Sequence, residues 1–119
     1  MPKTVMVLED EPLLFELLHE LLGLEGYQVT KPVSMDNILA ELSADRPDAV
    51  LIDVNLKDAN GLDLLSKIRA DQELKGLVVL LSSGSDYRQE SAQRGADGFL
   101  MKPYMPEDLL TALKQNLND

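Results

Sequence analysis

Short aliphatic runs alternate along this chain with segments of helical period, and that alternation admits few folds. Val5-Met6-Val7-Leu8, Ala49-Val50-Leu51-Ile52, Leu77 to Leu81 and Phe99-Leu100-Met101 are runs with almost no polar residue, and a shorter mixed run covers 27–31. Strands that read as continuous apolar stretches, rather than as alternating ones, are covered on both faces. Between them lie segments whose apolar residues recur on one helical face. Leu13, Leu14, Leu17, Leu18, Leu21 and Leu22 make a wide stripe over 11–24, with Pro12 in the first turn and Gly26 just past the end. Ser34 is placed to cap a helix over 34–43 with Ile38, Leu39 and Leu42 inward, and Asn60-Gly61 opens another over 62–70 with Leu64, Leu65 and Ile68 on one face. Pro106 starts a last helix carrying Leu109, Leu110, Leu113 and Leu117. Five strand–helix units of this kind predict a single α/β domain, a parallel sheet with helices on both faces. The fourth helix is the exception. Between Ser85 and Arg94 only Tyr87 and Ala92 are apolar, so it has almost no stripe to bury and is expected to be the loosest element.

The 119 residues suffice for one core, which must be aliphatic because the chain holds two Phe, three Tyr and no Trp. With no cysteine and one histidine, His19, disulfides, thiolate metal sites and multi-histidine sites are excluded. A net charge of −10, from 21 acidic against 11 basic residues, opposes direct binding to nucleic acid. Neither a signal peptide nor a membrane-length apolar run is present, so a cytoplasmic protein that does not bind membranes is expected.

Three of the aliphatic runs end in charge. Glu9-Asp10-Glu11 follows the first, Asp53 the third and Lys102-Pro103 the fifth. In a parallel sheet all three emerge at one carboxyl edge, where open α/β folds hold their ligands. Asp10 and Asp53 together suit a hard cation such as Mg²⁺, which takes one or two carboxylates and completes its octahedron with water. Taken alone, Glu9-Asp10-Glu11 can equally be a set of acids complementing the dipole of the following helix, and for Glu11 that reading is preferred. A carboxylate closing a buried strand is costly unless paired, and Asp53 there has the character of a nucleophile toward phosphorus. Lys102 can bind a phosphoryl oxygen as a point charge, or pair with the acids when no phosphoryl group is present. Ser82, at the end of the fourth strand, can offer its hydroxyl to the same oxygens, with Ser83 as a neighbouring competitor. His19 falls within the first helix, away from the strand ends.

The set Glu9, Asp10, Asp53, Ser82 and Lys102-Pro103 resembles the receiver domain of two-component response regulators over essentially the whole chain. Val50-Leu51-Ile52-Asp53-Val54-Asn55-Leu56, with Gly61 at the usual spacing, and Gly95-Ala96-Asp97-Gly98-Phe99-Leu100-Met101-Lys102-Pro103-Tyr104 carry the resemblance. It implies a flavodoxin-like (βα)5 fold with strand order 2-1-3-4-5. It further implies that Asp53 accepts a phosphoryl group from a histidine kinase or histidine phosphotransfer domain, with only self-catalysed phosphorylation and dephosphorylation rather than enzyme activity. Mg²⁺ would be held by Asp10, Asp53 and the backbone carbonyl of Asn55, with Glu9 acting directly or through water. Ser82 and Lys102 would bind phosphoryl oxygens, and Phe99 matches the switch aromatic coupled to Ser82. A downstream protein partner and a phosphorylation-dependent homodimer belong to the same expectation. The chain is expected to be a receiver spanning 1–119 without an output domain.

Two departures stand out. Lys57 occupies the position where the family usually has proline, which predicts a less rigid and less negative loop after Asp53. The interval from Ser82 to Lys102 is about two residues shorter than usual, which places a deletion at the weak fourth helix. Among rival readings, an aspartyl-phosphate phosphatase would want an acid where Asn55 stands, and a flavodoxin-like cofactor binder would want a phosphate loop where Glu9-Asp10-Glu11 would repel it. A receiver kept as a non-phosphorylated interaction module is the remaining alternative.

Overall fold

The computed structural model describes residues 2–117. Its strands are β1 (Thr4–Leu8), β2 (Gln28–Thr30), β3 (Ala49–Asp53), β4 (Val78–Ser83) and β5 (Gly98–Met101). Its helices are α1 (Pro12–Leu24), α2 (Ile38–Asp45), α3 (Gly61–Ala70), α4 (Arg88–Gln93) and α5 (Pro106–Leu117). All strand pairings are parallel and the order is β2-β1-β3-β4-β5, as the resemblance implies.

Side chains alternate across the sheet with period two. Met6, Leu8, Val50, Ile52, Val79 and Leu81 pack with α2 and α3 in one buried cluster. Val5, Val7, Ala49, Leu51, Leu80 and Leu100 pack with α1 and α5 in the other. Because both faces are covered, β3 is buried along its whole length. Each large aliphatic side chain removed from water there contributes about 1.5–3 kcal/mol.

Local chemistry sets the helix ends. Asn60 caps α3, its Oδ1 accepting from the backbone N–H groups of Leu62 and Asp63. Gly61 fits because a Cβ at that position would stand 2.7 Å from the carbonyl oxygen of Asp53. Ser34 does act as a cap, but of a short 3₁₀ turn, Met35–Asn37, that precedes α2. Consequently α2 starts and ends later than the spacing predicts, closing with Arg46 in the left-handed region at φ 46°. The leucine stripe of α1 is wider than its contact with the sheet: Leu18 and Leu22 are buried, whereas Leu13 is 83% and Leu17 51% exposed.

α4 is the shortest α-helix, at six residues. Tyr87 packs against the α2–α3 side of the core. Arg94, just past the helix, reaches Asp63 at 3.1 Å and Ser66 at 3.3 Å on α3 and Glu90 at 2.8 Å on α4 itself. Arg69 fastens the end of α3 to the strand edges. Its guanidinium donates to the carbonyls of Gly95, Lys75 and Leu77 and to the Asp97 carboxylate, which also accepts from the N–H of Val79.

Candidate functional site

Glu9 and Lys102 follow strands, Asp53 ends β3 and Ser82 is the penultimate residue of β4, and the alternation of the sheet turns them toward the same side. Leu8, Ile52, Val54 and Leu81 face the α2–α3 cluster, so Glu9, Asp53 and Ser82, one residue out of phase, face the other way. Asp53 and Ser82 stand opposite each other in the β3–β4 register.

Asp53 is only 8% exposed, and the Glu9 side chain that shares its lysine is 5% exposed. The Asp53 carboxylate is held at both oxygens: Oδ1 accepts from the N–H of Asn55 at 3.0 Å, and Oδ2 accepts from Lys102 Nζ at 3.1 Å. Lys102 also donates to Glu9 Oε1 at 2.8 Å, so one ammonium joins the ends of β1 and β3 from the loop after β5. Burial pushes the Lys102 ammonium down, but its hydrogen bonds to the Glu9 and Asp53 carboxylates and their charges outweigh it and the net displacement is upward, so the lysine stays charged. The Lys102–Pro103 peptide bond is cis. Behind it, burial pushes the phenol of Tyr104 up to about 12, and its hydroxyl oxygen is buried with no hydrogen-bond partner among the described residues.

Asp10 stands apart from this ion-pair cluster. It is exposed, and its Oδ2 accepts from the backbone N–H of Lys57 at 2.6 Å. Lys57, read from the sequence as a loosening replacement for proline, carries the N–H that a proline lacks, and this N–H ties the loop after β3 to the end of β1. That loop is closed further by the Asn55–Asn60 bridge and by Gly61 N–H donating to the Val54 carbonyl. Glu11 occupies the cap position of α1 without a side-chain cap bond, and its N–H donates to Glu9 Oε2 at 3.2 Å.

Ser82 is buried, and no hydrogen bond engages its hydroxyl among the described residues. Ser83, the neighbour named as its competitor, has a different position. Its Oγ accepts from Asn55 Nδ2 at 3.0 Å and from Ser85 N–H at 3.1 Å, while its carbonyl accepts from Lys102 N–H at 2.8 Å. Ser83 thus links the loops after β3, β4 and β5. Spacing alone does not reveal this link; the only signal was a paired serine at a strand end. Phe99, in register with Leu81, is half-buried and packs with Tyr87 and Ala96 against the α2–α3 cluster. His19 is exposed on α1 beside Phe15, 6.2 Å between ring centroids, outside the strand-end cluster.

The donor set fits a hard divalent cation by chemistry: two carboxylates, Asp10 and Asp53, a third acid in Glu9, and backbone carbonyls in the loop after β3. No three acidic side chains are gathered tightly enough among the described residues to form a preassembled cage. Mg²⁺ does not require one, since it binds through one or two carboxylates and retains its waters.

Comparison with known proteins agrees with this arrangement. The family model for the response regulator receiver domain matches residues 5–114. Probable transcriptional regulatory protein TcrX of Mycobacterium tuberculosis is 34% identical over 116 residues, covering 95% of this chain and 49% of TcrX. The chain therefore spans about half the length of this curated relative. Among solved structures, chemotaxis response regulator CheY4 of Vibrio cholerae superposes with a TM-score of 0.86 at 26% identity, over 98% of this chain and all of the other. The receiver domain of sensor histidine kinase PA1611 from Pseudomonas aeruginosa, with a magnesium ion coordinated in its active site cleft, has the same fold, with a TM-score of 0.86 at 20% identity over 100% of both chains. Family match and strand order agree, and this chain belongs to the response regulator receiver domain family.

Proposed function

We propose that this receiver accepts a phosphoryl group on Asp53 from the phosphohistidine of a histidine kinase or histidine phosphotransfer domain. The observation that carries the reading is the burial of Asp53 at the end of the central strand between one ammonium and one backbone N–H. A buried carboxylate is retained where it is paired, and this one has a charged partner that can follow it through the reaction.

In the transfer, a carboxylate oxygen of Asp53 attacks phosphorus, the N–P bond of the donor breaks, and its electron pair stays on the imidazole nitrogen. The product is an acyl phosphate. Lys102, now shared between Glu9 and Asp53, is positioned to exchange a carboxylate partner for a phosphoryl oxygen, and the free hydroxyl of Ser82 in register with Asp53 can donate to another. Bound Mg²⁺ would supply charge neutralisation on the phosphoryl oxygens, held by Asp10, Asp53 and the Asn55 carbonyl with Glu9 beside them. PA1611, a neighbour in fold, has that ion in its cleft. The exposed Leu17 of α1, with Leu14, Pro103 and Tyr104, lines a shallow groove bordered by Glu11 and Lys102 and offers a partner an apolar flank next to the acidic cleft. We assign the kinase-side contact to that flank.

Incubation with acetyl phosphate and Mg²⁺ tests the assignment by intact mass. Wild type is expected to gain one phosphoryl group and Asp53→Asn none. Equal labelling of the two would remove Asp53 from the role.

A further inference from the structure

Asp10 is the one acid of the cleft whose placement depends on the loop after β3 rather than on Lys102. The hydrogen bond from Lys57 N–H to Asp10 Oδ2, 2.6 Å long, spans 47 residues of sequence and joins two segments that are both exposed. A backbone N–H donated to a carboxylate is charge-assisted and stronger than a neutral pair. It fixes one carboxylate oxygen, and Oδ1 receives no hydrogen bond among the described residues, so one oxygen is tethered and the other remains open.

From this geometry we propose that the backbone N–H of Lys57 is a positioning group for divalent-cation binding: it orients Asp10 so that its open oxygen serves as the ligand. The inference rests on the cation reading above and adds a residue to it that acts through its main chain. Outer partners that orient a ligating carboxylate typically contribute 10- to 100-fold to metal affinity. The loop that supplies the donor also carries Asn55, whose N–H holds Asp53 Oδ1. Cation occupancy and the phosphoacceptor would therefore be coupled through one loop, closed by the Asn55–Asn60 bridge. The Lys57 side chain has no part in this, which makes the residue type separable from the donor. Any residue except proline retains the N–H.

Titration of the metal-free protein with MgCl₂ at constant ionic strength near pH 7, followed by amide chemical shifts, separates the possibilities. Lys57→Ala keeps the donor and is expected to bind Mg²⁺ within about twofold of wild type. Lys57→Pro removes it and is expected to bind about tenfold more weakly. A Lys57→Pro affinity equal to wild type overturns the proposal, as does a Lys57→Ala affinity as weak as that of Lys57→Pro. A second measurement needs neither metal nor the proline variant. The Lys57 amide proton should exchange slowly in the metal-free wild type and rapidly in Asp10→Ala; equal exchange in the two contradicts the tether itself. Should wild type bind no Mg²⁺ at all, the cation reading fails and takes this inference with it. Binding that ignores Lys57→Pro rejects only the inference.

Discussion

Tyr104 shows at residue scale how the cleft trades stability for placement. Its ring packs against the α1–α5 side of the core while its hydroxyl oxygen is buried without a partner among the described residues. An unpaired buried hydroxyl costs about 1–3 kcal/mol relative to a paired one, and phenylalanine would fill the same volume without it. Tyr104→Phe is therefore expected to raise the stability measured by urea unfolding at pH 7 by about 0.5–1 kcal/mol. The pH dependence has a definite sign. Burial holds the folded-state phenol at about 12 against an ordinary value of 10.0, so the unfolded chain ionises first. Stability contributed by the protonated phenol is complete below pH 10 and is lost as pH rises from 10 through 12. The raised Lys102 adds a loss of the same sign above its ordinary 10.5. Tyr104→Phe should keep the lysine part of the alkaline decline and lose the tyrosine part. An alkaline limb identical to wild type would show that the phenol is solvated.

Among the elements, α4 is the one whose composition and length predict the least stability. It spans six residues, Ser91 within it buries a hydroxyl that finds no partner among the described residues, and Arg94 supplies much of its polar attachment to α3. Amide exchange across residues 85–94 is expected to be faster than in α1 or α5, to quicken further in Arg94→Ala and to slow on phosphorylation. Protection equal to that of α1 would contradict this. Gly95 lets the chain leave α4 at φ 98° while its N–H donates to the Ala92 carbonyl.

The strands were legible because burial on both faces writes itself as unbroken aliphatic runs; β3 and β5 match their predicted bounds. The start of α2 was not, because Ser34 carries a capping signal that a 3₁₀ turn uses as readily as an α-helix. In the site, Asp53 and Lys102 were readable as charges interrupting apolar runs, and the structure joins them directly. The Lys57–Asp10 and Asn55–Ser83 links were not, because the first uses a main-chain donor and the second two ordinary polar residues 28 positions apart.

For the whole molecule the governing fact is a charge of −10 with two acids, Glu9 and Asp53, paired to one lysine at one edge of the sheet and Asp10 on the adjoining loop. Mg²⁺ binding the folded state alone should stabilise it by RT ln(1 + [L]/Kd), about 1–3 kcal/mol well above Kd. Raising Mg²⁺ from zero to millimolar at constant ionic strength near pH 7 is expected to raise Tm, and Asp10→Asn to lose most of that response. A full response in Asp10→Asn would place the ion elsewhere.

The central claim concerns one atom group, and a chemical trap tests it most directly. Protein phosphorylated with acetyl phosphate and Mg²⁺ is treated with borohydride, which reduces an aspartyl phosphate to homoserine, and the product is sequenced by tandem mass spectrometry. Homoserine at position 53, absent from protein not exposed to the phosphodonor, is the predicted result. Homoserine at position 10 with an intact aspartate at 53, or a phosphoryl group on a serine that survives the reductant, would contradict the account.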